Sequence, residues 1–251
     1  MIHWHLTPTL DELTALFCQH LEKKLQAPER TAFPLEPGMS VALTGGTSAV
    51  HFHRAWARRW RDEGWPDDSF RFFWSDERLV PPDHPDSNFR MAKETLLRPA
   101  GVPNEQVHRI PTDGSTEDCA RRYAEELQRL LPAPEGVPRF SIVMLGLGDD
   151  GHTASLFPHT DAFAGNDLLV RGAASTEAHP HPRITFTPKL INAADEVWFL
   201  IVGKKEEAVE RLFERQTPTH LMPALAIDPD STHIHAFVAN EAATRIRDRV
   251  V

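Results

Sequence analysis

Cysteine is scarce. The chain has two, Cys18 and Cys119, in 251 residues. They fall in separate helix-like segments without Cys-x-x-Cys spacing, which argues against a disulfide framework or a thiolate zinc site and favours reduced thiols. Long apolar runs are missing as well. No charged stretch precedes an apolar segment at the N-terminus and no run is long enough to cross a bilayer, so we expect a soluble, cytoplasmic protein with no membrane partner. Basic residues are in deficit: 27 Lys and Arg stand against 36 Asp and Glu, a formal charge of −9, which argues against a nucleic-acid partner. The arginine-rich stretches 54–61 and 121–129 read as solvated helix faces, and no basic run is interleaved with aromatics. There is no Gly-x-Ser-x-Gly elbow, which disfavours a serine acyl-enzyme. No internal repeat or low-complexity tract stands out. What remains is a globular balance, 41% hydrophobic and 25% charged, expected to bury one core as a single domain over residues 1–251.

Hydrophobic patterning alternates strands with helices. Thr9 with Glu12 three positions on is a capping box, and Leu13, Leu16, Phe17, Leu21 and Leu25 lay an apolar stripe behind it. Val41 to Leu43 is a short strand entering Thr44-Gly45-Gly46-Thr47-Ser48, and a helix continues through Trp56 and Trp60. Strands are also expected at 70–74, 107–110, 140–145, 184–187, 197–202 and 233–238. Ser87 caps a helix through Leu97, Ser115 caps one to Leu131, and further helices follow Pro188, Lys204 and the final strand. Proline-rich stretches at 27–37, 80–85, 131–138 and 179–182 are connectors. This order predicts an α/β fold: a doubly wound, mainly parallel sheet with helices on both faces, Rossmann-like.

The chemistry gathers at strand ends. The run FSIVML, residues 140–145, leads into Gly146, Gly148 and Gly151 and then His152, placing a side chain that exchanges protons near neutral pH at a glycine-softened turn. Ligands bind at such edges in open α/β sheets. We expect His152 to be catalytic, with Asp150 or a nearby carboxylate orienting its ring, and the unobstructed N–H of Gly151 to serve the substrate. The loop 44–48 joins strand to helix. It reads equally as a tight turn or as a phosphate cradle built from Gly45, Gly46, Thr47 and Ser48. It lacks the Walker lysine and the Gly-x-Gly-x-x-Gly spacing, which disfavours nucleotides. Arg78, in Ser75-Asp76-Glu77-Arg78, either offers a planar fork to an anion or pairs with Asp76 or Glu77. Four His-x-His pairs occur, at 3/5, 51/53, 179/181 and 233/235. No third ligand with zinc spacing is evident, so neither a metal nor another cofactor is expected.

The segment GLGDDGHTASLFP, residues 146–158 with the preceding Leu145, resembles the signature of the 6-phosphogluconolactonases, a branch of the glucosamine-6-phosphate deaminase/isomerase superfamily. Residues 44–49 look like the family's SGGSTP phosphate loop without the final proline. SDERLVP with Ser87-Asn88 is similar to its DERxVP and SN elements, and PRITFT with Ile191-Asn192-Ala193-Ala194 to its PRxTLT and INxA pattern. The resemblance implies hydrolysis of a small sugar-phosphate lactone in the pentose phosphate pathway by a monomer or weak homodimer. It favours Arg78 as a catalytic cation and adds Asn88 and Arg183 to the substrate site. Three departures follow Gly203. The family's lysine falls on Glu206, leaving Lys204 or Lys205 to serve instead, with Lys205 the choice; the PAS-like segment is Pro223-Ala224-Leu225; and a terminal aspartate is Asn240. The alternatives are an isomerase or deaminase of the same superfamily, whose version of the segment after His152 resembles IAFNEP, and a noncatalytic sugar-phosphate sensor.

Overall fold

In the computed structural model, residues 1–26, 38–161, 167–239 and 241–250 are described; the proline-rich 27–37 connector and Asn240 lie outside them. The elements run β1 (Ile2–Thr7), α1 (Leu10–Gln26), β2 (Met39–Leu43), α2 (Gly46–Glu63), β3 (Phe70–Trp74), β4 (Asp76–Arg78) and α3 (Asn88–Ala92). A π-helical turn (Lys93–Leu97) and α4 (Arg98–Ala100) extend α3. Then come α5 (Thr116–Leu130), β5 (Ile142–Leu145), β6 (Val170–Ala173), β7 (Arg183–Phe186), α6 (Pro188–Asn192), β8 (Glu196–Ile201), α7 (Glu206–Glu214) and β9 (His233–Ala239). The expected caps form: the Thr9, Ser87 and Ser115 hydroxyls accept from the N–H of Glu12, Arg90 and Asp118 at 3.1–3.2 Å.

Six strands make a wholly parallel sheet in the order β1-β9-β8-β5-β2-β3. Alternation along its strands covers both faces. On one face Phe72 and Phe70 meet Trp56 of α2, and Phe237 meets Phe17 of α1. On the other, Phe73 packs on Phe140, which meets Phe186, and Trp4 packs on Phe213 of α7. Trp56, Trp74, Trp198 and Phe17 are fully buried, each such side chain stabilising the fold by roughly 1.5–3 kcal/mol. From β2 the chain winds one way to β3 and then returns to the other side of β2 as β5. The carboxyl ends of β2 and β5 therefore flank the switch point, where a cleft opens.

The doubly wound sheet is as expected, with local differences. β1 and β6 were not anticipated. β7 belongs to a second, antiparallel sheet ordered β4-β7-β6, which also recruits Asp76 to Arg78, read from sequence as a strand-end loop. The 107–110 strand reduces to one bridge between Phe72 and Val107; the next outward backbone groups on β3, the N–H and carbonyl of Trp74, meet the Tyr123 hydroxyl instead. The segment after His152 is a turn with Ala154 at φ 47°. Its polar groups bond other elements instead: the Thr153 hydroxyl donates to the Gly146 carbonyl at 2.8 Å, and the Ser155 N–H to the Thr185 hydroxyl at 3.1 Å. The closing helix is a series of turns ending in a 3-10 turn (Arg247–Arg249), where i−3 and i−4 hydrogen bonds alternate.

Candidate active site

The β2–α2 junction is shaped by its glycines. Gly45 caps α2 without any side-chain hydrogen bond, and no acidic residue lies in the first turn, so the positive end of the helix dipole is left for an anion. A Cβ on Gly45 would lie 2.0 Å from Asn88 Oδ1, and Gly46 takes φ +88°. The Ser48 hydroxyl accepts from the Val202 N–H at 3.2 Å, which ties the start of α2 to the end of β8.

Beyond β5, the His152 ring lies against the backbone of Gly148, where a Cβ would sit 2.1 Å from His152 Nδ1. Asp150 Oδ1 accepts from the His152 backbone N–H at 3.0 Å and lies 2.6 Å from Nδ1. This pair fixes the tautomer: Nδ1 carries the proton toward the carboxylate and Nε2 keeps a lone pair. Burial pushes the Asp150 carboxyl up, but hydrogen bonds from the His152 ring and backbone and the attraction of His152 and His179 outweigh it and bring it down to about 2. Phe157 backs the ring at 5.0 Å and is itself stacked on His179 at 4.1 Å. Burial, with repulsion from His152 and Arg183, lowers His179.

Two guanidiniums oppose these rings. Arg78 and Arg183 are direct partners in the antiparallel β4–β7 pair, a placement that like charges resist unless an anion or carboxylate is shared. Asp76 supplies part of that charge, with Oδ2 3.7 Å from Arg183 Nη1, while its Oδ1 accepts from Asn88 Nδ2 at 3.2 Å and its Oδ2 from the Ser155 hydroxyl at 2.6 Å. The Nε atoms of both arginines are buried without a hydrogen-bond partner among the described residues. The Arg78 guanidinium does not pair with the Glu77 carboxylate. Its Nη1 donates to the Asp86 carbonyl at 2.6 Å.

Glu77 organises the loop instead. Its two oxygens accept from the backbone N–H of Arg78, Asn88 and Phe89, each at 2.8 Å, and from the Ser87 hydroxyl at 3.0 Å. Burial raises the Glu77 carboxyl, and the three N–H bonds oppose that rise. Since all four partners donate, the geometry suits the ionised form.

These elements enclose a cavity of about 260 Å³. Of the residues expected from sequence, Gly45, Gly46, Thr47, Ser48, Arg78, Asn88, His152, Arg183 and Lys205 line it. Asp150 stands behind His152. Gly151 is not among the lining residues: it is buried, and a Cβ there would lie 2.6 Å from Met222 Cγ, so it serves packing. Lys205, which caps α7, donates to the Leu147 carbonyl and lies 3.2 Å from Asp149 Oδ1, whereas Glu206 does not line the cavity. Sequence reasoning missed Asp76, Glu77 and His179. His179 was visible only as half of a His-x-His pair, and nothing local marks the roles of the other two. Asp150, His152 and His179 also bring one ligand atom each within 4.8 Å of one another, close enough to hold a cation.

The family description "Glucosamine-6-phosphate isomerases/6-phosphogluconolactonase" matches residues 8–236. The chain belongs to this family. It is 37% identical over 223 residues to a 6-phosphogluconolactonase of Nostoc sp., covering 88% of this chain and 90% of that one. It is 39% identical over 193 residues to a 6-phosphogluconolactonase of Synechocystis sp., with 76% and 78% covered. Among solved structures it is similar to the 6-phosphogluconolactonase of Trypanosoma brucei, with a TM-score of 0.78, 28% identity, and 98% and 99% covered.

Proposed function

We propose that this chain hydrolyses 6-phospho-D-glucono-1,5-lactone to 6-phosphogluconate in the pentose phosphate pathway. The observation that carries the reading is one cavity holding both the free Nε2 of His152 and an uncapped helix N-terminus beside unpaired arginine nitrogens. The phosphate lies at Gly45, Gly46, Thr47 and Ser48 with Lys205, and Asn88 and Arg183 hold the sugar. Water attacks C1 as His152 Nε2 takes its proton, and Arg78 stabilises the oxyanion. Collapse breaks the bond from C1 to the ring oxygen, which receives that proton and becomes the C5 hydroxyl. The new carboxyl then ionises to solvent. Asp150 stays ionised throughout and holds the imidazolium.

Cys18 and Cys119 are buried and unpaired, which suits the cytoplasm, and no helix among the described residues is long and apolar enough to cross a membrane. The test is coupled 6-phosphogluconate production from fresh lactone at slightly acidic pH, where spontaneous hydrolysis is slow. His152→Ala should lower kcat by about 10²–10⁴-fold with KM little changed. A wild-type rate no higher than background would overturn the reading, and turnover of glucosamine 6-phosphate instead would identify the isomerase or deaminase branch.

A further inference from the structure

Two of the His-x-His pairs converge on a third histidine that no zinc spacing links to them. In the parallel β1–β9 pairing His3 lies opposite His235, and His5 opposite Phe237. His5 Nε2 and His235 Nδ1 are 2.9 Å apart, with the two rings stacked at 5.2 Å and 2° between planes. From α1, His20 meets His5 edge-on at 4.5 Å and His235 at 5.7 Å. His5, His20 and His235 each place one nitrogen within 4.8 Å of the others.

The outer nitrogens of two of the rings face acceptors. His20 Nδ1 lies 2.9 Å from the Leu16 carbonyl, so it carries the proton and Nε2 keeps the lone pair. His235 Nε2 faces Glu196 Oε2 at 3.9 Å, which leaves Nδ1 as the inward atom. Glu196 is itself held by Lys24 Nζ and Trp198 Nε1, both at 2.7 Å. Imidazoles whose far N–H groups point to a carbonyl and a carboxylate are oriented as metal ligands are.

We propose that His5, His20 and His235 form a site for a borderline transition metal such as Zn²⁺, bound through three imidazole nitrogens and a water, that clamps β1, α1 and β9 together. The site uses none of the residues that line the catalytic cavity. Binding requires the proton that His5 Nε2 shares with His235 Nδ1 to move to His5 Nδ1.

The test uses tag-free protein titrated with Co²⁺, followed by visible d–d absorption, and with Zn²⁺, followed by calorimetry. Wild type should bind one ion at this site, and His20→Gln should weaken it by at least about 100-fold. His179→Ala, which alters the only other such histidine cluster among the described residues, should leave the same ion bound. At 100 times Kd the thermal midpoint should rise by roughly 5–10 °C. Because His20→Gln could disturb folding, histidine ¹⁵N resonances of wild type are also followed, and three imidazoles outside the catalytic cavity should shift on adding Zn²⁺. Absence of binding, or binding lost in His179→Ala but retained in His20→Gln, would overturn the proposal, whatever the lactonase activity.

Discussion

Glu77→Gln separates positioning of the cleft from stability of the fold. The Glu77 carboxylate takes four hydrogen bonds, two on each oxygen. Glutamine keeps one oxygen and turns an NH₂ toward the other pair of donors, so two charge-assisted bonds are lost at about 1.5–3 kcal/mol each. Relief from burying a charge offsets part of that sum and leaves a net loss of roughly 2–4 kcal/mol. For a chain of this size the thermal midpoint should fall by roughly 5–15 °C. Whichever oxygen becomes the NH₂, the change releases one or two backbone N–H groups of the Arg78 or Asn88–Phe89 segments, which place Arg78 and Asn88 at the cavity wall. A displacement of about 1 Å there should lower kcat/KM by about 100-fold. The assay is coupled lactone turnover well below the melting temperature, alongside Leu212→Ala. That control empties a buried position on α7 at a similar cost of about 2–5 kcal/mol and should keep full activity. If Glu77→Gln melts early yet retains wild-type kcat/KM, Glu77 does not position the site. If neither quantity changes, the hydrogen-bond argument itself is wrong.

Two of the cavity glycines should respond differently. Gly45→Ala drives a methyl into Asn88 and should chiefly raise KM, whereas Gly148→Ala strikes the His152 ring and should chiefly lower kcat; steady-state kinetics of both variants checks the split. Asp150→Asn should cost about 10–100-fold in kcat by losing the tautomer that frees Nε2. The Asp150 carboxyl is depressed from 3.8 to about 2 in the fold, so its stabilisation is present above pH about 4 and lost as pH falls through about 2. Urea midpoints of wild type and Asp150→Asn should therefore differ at pH 6 and converge near pH 2, and a gap that persists there would contradict this account.

Elements that bury contiguous apolar runs were legible from sequence: FRFFW is β3 to the residue. β1 was not, because IHWHLT interleaves histidines whose apolar contacts come from β9 and α1, far away in the chain. β6, reading VRGA, carries no apolar run, and it forms only because β7 offers an edge. The cleft shows the same division. His152 and the loop after β2 are announced by their own neighbours. Glycine spacing, by contrast, marks where a side chain is barred without saying what bars it: His152 at Gly148, but Met222 at Gly151. Glu77 acts on residues placed beside it by the β4 turn, and no local pattern encodes that.

The pairing of β1 with β9 bears on how the molecule is made. Ile2 has Ile234 as its register partner, so β1, once made, waits for about 230 further residues before it can be hydrogen-bonded. At about 5–20 residues per second, that wait is roughly 10–50 s. β2 and β3, joined by α2 alone, can meet long before then. The nascent protein thus builds the β2–α2 loop early and carries β1 unpaired until β9 is made, so exposure of that strand to chaperones and proteases is set by translation rate rather than by the chemistry of the cleft.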